Sequence, residues 1–310
     1  MKSFLVLALL TSTWAFASEV DQFTKRYEPL EDVATIINAK ANDYLELAIK
    51  AHNESSSTCD ETKLYSELKV YFSNHKHGHL VRYILHDEAL PKRRFKVKDS
   101  IYADFSVLDG YLLGKKSADE SEVALGPLLR MGERTIGSDK FEHLFGRGFV
   151  YFTLYYLEGK NIDRVLSKGE FGERTVYGGT RLATGVYSFA DLTANFNGMR
   201  FWNNMLSLRP DILGKSYGPY IKCKNDRYAK VKNIDFLEYF DDGFDEAINC
   251  SRFASGKAAK KLKAKLNELK NNDPDHEYTC PVDSSKIPAL VEKYKEFAPR
   301  LINLEGHRKR

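Results

Sequence analysis

The chain has 310 residues, of which 43% are hydrophobic and 13% aromatic. That is enough apolar material for one large domain or two small ones with an ample core. The formal net charge of +4 is too weak to favour nucleic-acid binding. The sequence also lacks a phosphate-binding loop, a dinucleotide-binding glycine fingerprint and a Gly-x-Ser-x-Gly motif, which removes common nucleotide-dependent and hydrolase classes.

The N-terminal sequence MKSFLVLALLTSTWAFASEV has the organisation of a secretory signal. It has a positive charge at Lys2, an apolar run over 4–10, and the small-x-small sequence Ala-Phe-Ala at 15–17. The pattern predicts a signal peptide over 1–17, with an apolar run too short to span a bilayer. We therefore expect 18–310 to be a soluble, exported single domain, periplasmic or secreted. It should act as a monomer and should not insert stably into a membrane.

Hydrophobic periodicity predicts helix over 20–52, where Val33, Ile36, Ile37 and Leu45 fall near one face. The segment NESSSTCDET is a predicted loop, and KLYSELKVYF resumes the helical pattern. The region 91–110 is predicted to be β-like or short-helical, and 115–126 to be a loop.

Three histidines alternate in NHKHGH, at His75, His77 and His79. On a strand they would share one face and could bind a divalent metal. The other interpretation, which we favour, is a solvated polar turn. No Asp or Glu stands at metalloprotease spacing from them.

A helix is predicted over 139–157, in GSDKFEHLFGRGFVYFTLYYL, and Glu142 is its most informative residue. Asp139 followed by Glu142 fits a capping box, in which the glutamate binds the cap's N–H. If Ser138 is the cap, Glu142 has no capping role. The surrounding Phe and Leu residues would instead desolvate the carboxyl and suit it to general acid catalysis. His143 points about 100° away and is predicted to be buried and hydrogen-bonded.

A glycine-rich region follows over 159–198, where turns and short strands are predicted, with helix resuming near 189–201. In GVYSFADLTANFNG, Ser188 and Asp191 have capping spacing. The alternative is a polar and aromatic wall that faces a sugar. That wall would consist of Tyr187, Ser188, Asp191, Thr193 and Asn195.

The C-terminal region contains a lysine-rich helix in SGKAAKKLKAKLNELKNN and another in PALVEKYKEF. Leu262, Leu266 and Leu269 form one stripe of the first helix. Its six lysines over 257–270 are expected to form a solvated face, or to attract an anionic wall.

Four cysteines, in an exported chain, predict two disulfides. We expect Cys223–Cys250, which closes a modest local loop, together with Cys59–Cys280, which would attach the C-terminal part to the body. The other pairings, or one bridge with two buried thiols, stay open.

SDKFEHLFGRGF together with GTRLATGVYSFADLTANFNGMRFW resembles the lysozyme superfamily, and in particular an exported lysozyme of predatory bacteria that acts on de-N-acetylated wall. The likeness covers 132–202. It implies an α+β, mainly helical, lysozyme-like fold with a core at about 130–205. A small antiparallel sheet or hairpin would lie beside the cleft, with helical additions at both ends.

By that resemblance Glu142 is the catalytic acid that protonates the glycosidic oxygen, and Asp191 is the second carboxylate, with Glu173 in reserve. The implied function is hydrolysis of peptidoglycan glycan strands, possible without a metal or organic cofactor, with deacetylated glycan as a preferred substrate. A lytic transglycosylase and a non-catalytic wall-binding protein are the alternatives.

Overall fold

The computed structural model describes residues 18–121 and 124–306, so the predicted signal peptide over 1–17 lies outside the described residues. The fold is α+β and mainly helical, with helices at both ends of the described chain, as expected. The helices are α1 (Ala34–Ser55), α2 (Glu61–Tyr71), α3 (His79–His86), α4 (Tyr111–Gly114), α5 (Asp139–Glu142), α6 (Gly148–Phe152), α7 (Ile162–Gly172), α8 (Phe189–Leu206), α9 (Gly256–Asn272), α10 (Ile287–Tyr294) and α11 (Ala298–Leu301).

The strands are short and form antiparallel pairs. They are β1 (Leu128–Met131) with β2 (Arg134–Gly137), β3 (Val186–Tyr187) with β6 (Arg252–Phe253), and β4 (Ile221–Lys224) with β5 (Arg227–Lys230). The first pair leads directly into α5, and the second pair leads into α8. Small sheets therefore set the starting points of the two helices that meet in the core.

The helix predicted over 139–157 is confirmed, and it is interrupted twice by wider π-helical turns. The α5 segment continues into a π-helical turn, His143–Arg147, then into α6, and ends in a second π-helical turn, Thr153–Leu157. We call residues 139–157 the composite helix. A π-helical turn changes the angular phase of the side chains that follow it, and such turns are frequent at functional sites.

The composite helix packs against α8, whose residues are all buried. Gly148 and Gly198 form the contact. A Cβ atom placed on Gly148 would lie 2.4 Å from the Gly198 Cα, and one placed on Gly198 would lie 2.1 Å from the Leu144 carbonyl oxygen. The close approach of the two helix backbones therefore requires glycine at both positions.

The N-terminal limit predicted for the first helix is wrong, because α1 begins at Ala34 and not near Val20. The preceding segment is held in an extended and turned path by the buried carboxylate of Asp21. This carboxylate accepts hydrogen bonds from the backbone N–H groups of Phe23, Thr24 and Ile101. Asp21 thus replaces the hydrogen bonds that a helix would have provided. Ile36, expected on the buried face, is 39% exposed.

The glycine-rich region is more helical than predicted. Its first part forms α7, capped by Asn161, whose side chain accepts from the backbone N–H of Asp163. Gly169 lies inside this helix because the hydroxyl of Tyr151 occupies the space of a Cβ atom, at 1.5 Å. A third π-helical turn follows at Glu173–Tyr177. The predicted strand is confirmed only as the two residues of β3, and the predicted helix after it is confirmed as α8.

Both predicted C-terminal helices are present, as α9 and α10. Leu262 and Leu266 are buried as the predicted stripe requires, and Leu269 packs against them. They belong to a smaller apolar cluster with Phe105 and Phe253, whereas the composite helix and α8 belong to the larger one.

Two disulfides are present, but the expected pairing is wrong: the bridges are Cys59–Cys223 and Cys250–Cys280. The β4–β5 hairpin packs on the end of α1, where the side chain of Asn53 bonds both backbone groups of Tyr228. That packing carries Cys223 to Cys59. Tertiary contacts, and not the length of the closed loop, therefore decide the pairing.

Disulfides of this kind are compatible with an exported protein. Over the described ranges, none of the helices has the length and hydropathy that crossing a bilayer demands.

We expect Gly148→Ala to lower the free energy of unfolding by about 1–3 kcal/mol, because the added methyl forces the composite helix away from α8. Chemical denaturation measures the change. Gly146→Ala is the matched control on the same helix, since its Cβ would meet only the Cβ of Asn74 at 3.9 Å. The control should be neutral or slightly stabilising. Equal losses in the two variants would contradict the close-packing argument.

Candidate functional site

Glu142 lies at the end of α5 and turns toward the segment between α2 and α3. Its Oε2 atom is 2.6 Å from Nδ1 of His75 and accepts a hydrogen bond of 3.3 Å from the His75 backbone N–H. The Glu142 side chain is 11% exposed and that of His75 is 22% exposed. No side chain caps the start of α5, where Ser138 is the residue at the cap position. The capping-box interpretation of Glu142 therefore does not apply. The carboxyl is thus directed toward an imidazole near the surface.

The contact between Glu142 and His75 can hold one proton between Oε2 and Nδ1. A carboxyl–imidazole pair of this kind can donate a proton to a ligand or accept one from it. His75 lies in a turn, as predicted for this segment. His79 begins α3 and packs near the rings of Tyr44 and Tyr71. The alternating histidines therefore do not share one strand face, and the metal interpretation of them loses its geometric basis.

A second group of charges lies in the interior and is centred on Lys140. The Lys140 Nζ atom is 2.6 Å from Asp139 Oδ2, 2.6 Å from Asp191 Oδ1 and 2.7 Å from Glu246 Oε1. All four residues are buried. We call these residues, with His143, Glu173 and Glu19, the buried charge cluster. Three carboxylates around one ammonium satisfy the cation with charge-assisted hydrogen bonds.

His143 is buried and hydrogen-bonded, as predicted. Its Nδ1 atom lies 2.9 Å from Asn195 Oδ1, and its Nε2 atom lies 3.1 Å from Asp191 Oδ2. Both ring nitrogens therefore face oxygen acceptors, an arrangement that suits the imidazolium form. Ser188 caps α8 by accepting from the Asp191 N–H at 3.1 Å, and its hydroxyl donates to Glu246 at 2.8 Å. The predicted capping pair is thus present inside the cluster.

Burial and mutual charge shift the protonation of this cluster strongly. Burial, reinforced by the charge of Asp191, raises the pKa of Glu173 to about 8. Burial likewise raises the pKa of Asp139 to about 7, although Lys140 opposes the shift. Burial alone would lower the pKa of His143, but Asp191 raises it to about 9. Desolvation of a carboxyl and a nearby opposite charge on an imidazole both favour the protonated form.

The glycine-rich loop 178–185 covers two of these carboxyls. The hydroxyl of Thr184 lies within hydrogen-bond distance of Glu19 Oε1 and of the Gly178 carbonyl oxygen, and its one proton can be shared between them. A Cβ atom on Gly178 would lie 2.9 Å from Glu173 Oε1 and 3.1 Å from Glu19 Oε1. The Oε2 atom of Glu173 is buried and has no hydrogen-bond partner among the described residues. The loop therefore excludes water from both carboxyl groups, and this burial raises the pKa of each.

The residues predicted to form a sugar-facing wall are buried and have internal partners. Thr193 donates to the Leu301 carbonyl oxygen at 2.9 Å, and the Tyr187 ring packs edge-on against Phe189. Asp191 belongs to the buried charge cluster, and Ser188 and Asn195 contact Glu246 and His143 of that cluster. Thr193 and Tyr187 contact other parts of the core. Their role in binding a glycan stays a prediction, and it requires a conformation in which they become accessible.

Asp191 and Glu142, predicted as a catalytic pair, are directed to different sides of the composite helix. Asp191 contacts Lys140 and His143, which lie one helical turn apart, while Glu142 faces His75. Both oxygens of Asp191 face cationic groups. Although burial opposes its charge, His143 and Lys140 hold the pKa of Asp191 well below its usual range. Asp191 is therefore a fixed anion in this arrangement.

A metal ion could in principle be bound by Asp139, His143 and Asp191, whose ligand atoms lie within 4.8 Å of one another. The ammonium of Lys140 already lies between the two aspartates and supplies the positive charge that a metal would bring. The two carboxylates are therefore already neutralised by Lys140, and this group of residues suits the lysine ammonium better than an added metal ion.

Several residues of the two sites carry no local sequence signal. His75 meets Glu142 across 67 positions, and Glu246 meets Lys140 across 106. Glu19 reaches the cluster from the N-terminal end of the described chain. One local feature does point to the buried charge cluster. The charged sequence Ser-Asp-Lys stands directly before an apolar helix and places a lysine where the core begins.

We expect the free energy of unfolding to fall as the pH rises from about 6 to about 9. Glu173, Asp139 and His143 have folded-state pKa values of about 8, 7 and 9, above their ordinary values of 4.5, 3.8 and 6.5. Each contribution is complete below the ordinary value and is lost as the pH passes the folded value. Since a shift of one pKa unit corresponds to about 1.4 kcal/mol, the free energy of unfolding should fall by at least that amount. Denaturation across this range measures it, and a flat or rising profile would contradict it.

We expect Lys140→Met to destabilise the fold by about 3–5 kcal/mol, because three buried carboxylates lose their common cation. Urea denaturation measures the loss. Lys160→Met is the control, since Lys160 is exposed and lies 3.9 Å from Glu158; it should change stability by no more than about 0.5 kcal/mol. A small effect in both variants would show that the cluster does not depend on its lysine.

Comparison of the chain with protein-family models, with curated proteins and with solved structures finds no match.

Proposed function

We propose that the protein cleaves the glycan strand of peptidoglycan, with Glu142 as the general acid and His75 as its proton-sharing partner. The observation that carries the proposal is the 2.6 Å contact between Glu142 Oε2 and His75 Nδ1, near the surface on a helix that is otherwise packed into the core. The sequence resemblance to the lysozyme superfamily supports the same residue. The mixed fold and its small antiparallel sheets are consistent with a lysozyme-like domain.

The proposed reaction transfers the proton of the Glu142–His75 pair to the glycosidic oxygen as the bond from that oxygen to the sugar carbon breaks. The carboxylate left behind faces a positively charged sugar ring. Water then adds to the ring carbon and returns one proton to the pair. His75 assists by retaining the proton close to the carboxyl between turnovers, so the pair is restored without an external base.

A lytic transglycosylase is the second candidate, and the position of Asp191 favours it. Enzymes that use two carboxylates place them about 5–9.5 Å apart on either side of the scissile bond. Asp191 instead binds Lys140 and His143 on another side of the composite helix. A single acid suffices when a hydroxyl of the sugar itself closes onto the ring carbon. The product then contains an anhydro-sugar, which mass spectrometry of digested wall distinguishes from a reducing end.

A preference for de-N-acetylated glycan is part of the proposal and follows from the sequence resemblance. The free amine of such a sugar is an ammonium at neutral pH, so a suitable cleft presents carboxylates to it. Digestion of acetylated and deacetylated wall in parallel tests this point, and equal rates on the two substrates would remove it.

We expect Glu142→Gln to reduce the rate of wall digestion by about 10²–10⁴-fold, because the amide cannot supply the proton. The measurement is release of soluble fragments from purified peptidoglycan, with circular dichroism to verify the fold. Glu158→Gln is the control, since that glutamate follows the composite helix and is exposed.

His75→Asn should change the pH dependence of the rate more than its maximum, since His75 acts through Glu142. Unchanged digestion by Glu142→Gln would favour a non-catalytic wall-binding protein. Loss of activity in Glu158→Gln as well would point to a general defect and not to a missing acid.

A further inference from the structure

A basic cavity lies at the start of α9, far along the chain from Glu142. Its volume is about 780 Å³. It lies between the start of α9 and the segments around 106–109 and 181. We call it the basic pocket, and its lining residues are Ser106, Leu108, Asp109, Arg181, Ser255, Gly256, Lys257, Lys260 and Lys261.

The positive charge of the basic pocket is largely uncompensated. Lys257, Lys260 and Lys261 occupy positions i, i+3 and i+4 of α9, so they share one face of the helix. Lys261 is held 2.6 Å from Asp109 Oδ2. Arg181, Lys257 and Lys260 have no carboxylate partner within 18–121 and 124–306. The N-terminal end of α9 adds its partial positive charge to the same cavity.

Exposed apolar side chains border this positive surface. Leu182 is 82% exposed and Leu108 is 74% exposed, the highest values among the large apolar side chains of the described residues. Leu108 lines the pocket, and Leu182 follows Arg181, which also lines it. The Tyr111 N–H donates to the Arg181 carbonyl oxygen at 2.9 Å, so the two segments are joined. Tyr111 itself is 53% exposed.

We propose that this surface docks peripherally on an anionic phospholipid bilayer. Lipid phosphates enter the basic pocket, and Leu108 and Leu182 insert between the headgroups. A cationic surface is attracted to anionic lipid, and adjacent apolar side chains gain by burial at the boundary of the acyl region. A soluble phosphate ligand would account for the cations but leave two leucines without a role. Their position beside the uncompensated cations therefore favours a lipid surface.

Flotation of the full chain with lipid vesicles tests the proposal. One set contains phosphatidylcholine alone, and the other contains about one third phosphatidylglycerol, which supplies the negative surface. We expect binding to the second set only, and we expect it to weaken with added salt. Lys257→Gln, Lys260→Gln and Arg181→Gln should each weaken binding about fivefold. Lys263→Gln is the matched control, because Lys263 is exposed on α9 outside the basic pocket.

The apolar component has its own variants. Leu182→Ser should weaken vesicle binding, whereas Leu208→Ser should not, although Leu208 is 62% exposed elsewhere on the surface. Binding that is lost in Lys263→Gln as strongly as in Lys260→Gln would overturn the assignment to the basic pocket. Failure to bind anionic vesicles would overturn the proposal.

Calorimetric titration with inorganic phosphate separates a free ligand from a membrane. Phosphate binding that depends on Lys260, without vesicle binding, would identify a soluble anion as the occupant and refute lipid docking. Wall digestion by Glu142 is measured separately, so either proposal can fail without the other.

Discussion

The ammonium of Lys140 is the contact on which the arrangement of the core depends. It joins Asp139 of α5, Asp191 of α8 and Glu246 of the segment that leads to β6. A buried charge is stable only when it is paired and hydrogen-bonded, so these segments cannot separate without exposing or stranding an ion. Apolar contacts between the composite helix and α8 are non-directional. The ionic contact is directional, and together with Gly148 and Gly198 it fixes the relative position of the two helices.

Fixing the composite helix also fixes the direction of Glu142. Lys140 and His143 point into the buried charge cluster, so Glu142, which lies between them in sequence, must point elsewhere. It meets His75 near the surface. The first π-helical turn begins directly after Glu142, at His143. The wider π-helical turn changes the direction of the side chains that follow it. His143 can therefore face Asp191 while the following aromatic residues stay in the core. The composite helix thus contributes to the buried charge cluster on one face and to the Glu142–His75 pair on another.

The sequence predicts the parts of this arrangement that local patterns determine. The helix over 139–157, the cap of α8 by Ser188 and the burial of His143 follow from periodicity, capping chemistry and position. The partners of Lys140 and Glu142 do not, because they are set by packing between segments far apart in the chain. The predicted disulfide pairing is wrong for the same reason. The short separation of Cys223 and Cys250 favours a bridge between them, but the β4–β5 hairpin carries Cys223 to Cys59. α7 was missed because its glycines suggested turns, whereas Gly169 is required by the hydroxyl of Tyr151.

The loop 178–185 links the interior to the surface. Gly178 and Thr184 lie against the carboxyls of Glu19 and Glu173, while Arg181, in the same loop, lines the basic pocket and precedes the exposed Leu182. The short hydrogen-bonded turns within the loop, from Gly185 N–H to the carbonyl oxygens of Gly178 and Thr180, make it a compact unit. The same loop therefore closes the interior cluster on one side and contributes to the basic pocket on the other. Burial beneath this loop keeps water from the carboxyls of Glu19 and Glu173, and the lost hydration raises the pKa of both because water stabilises the ionised form.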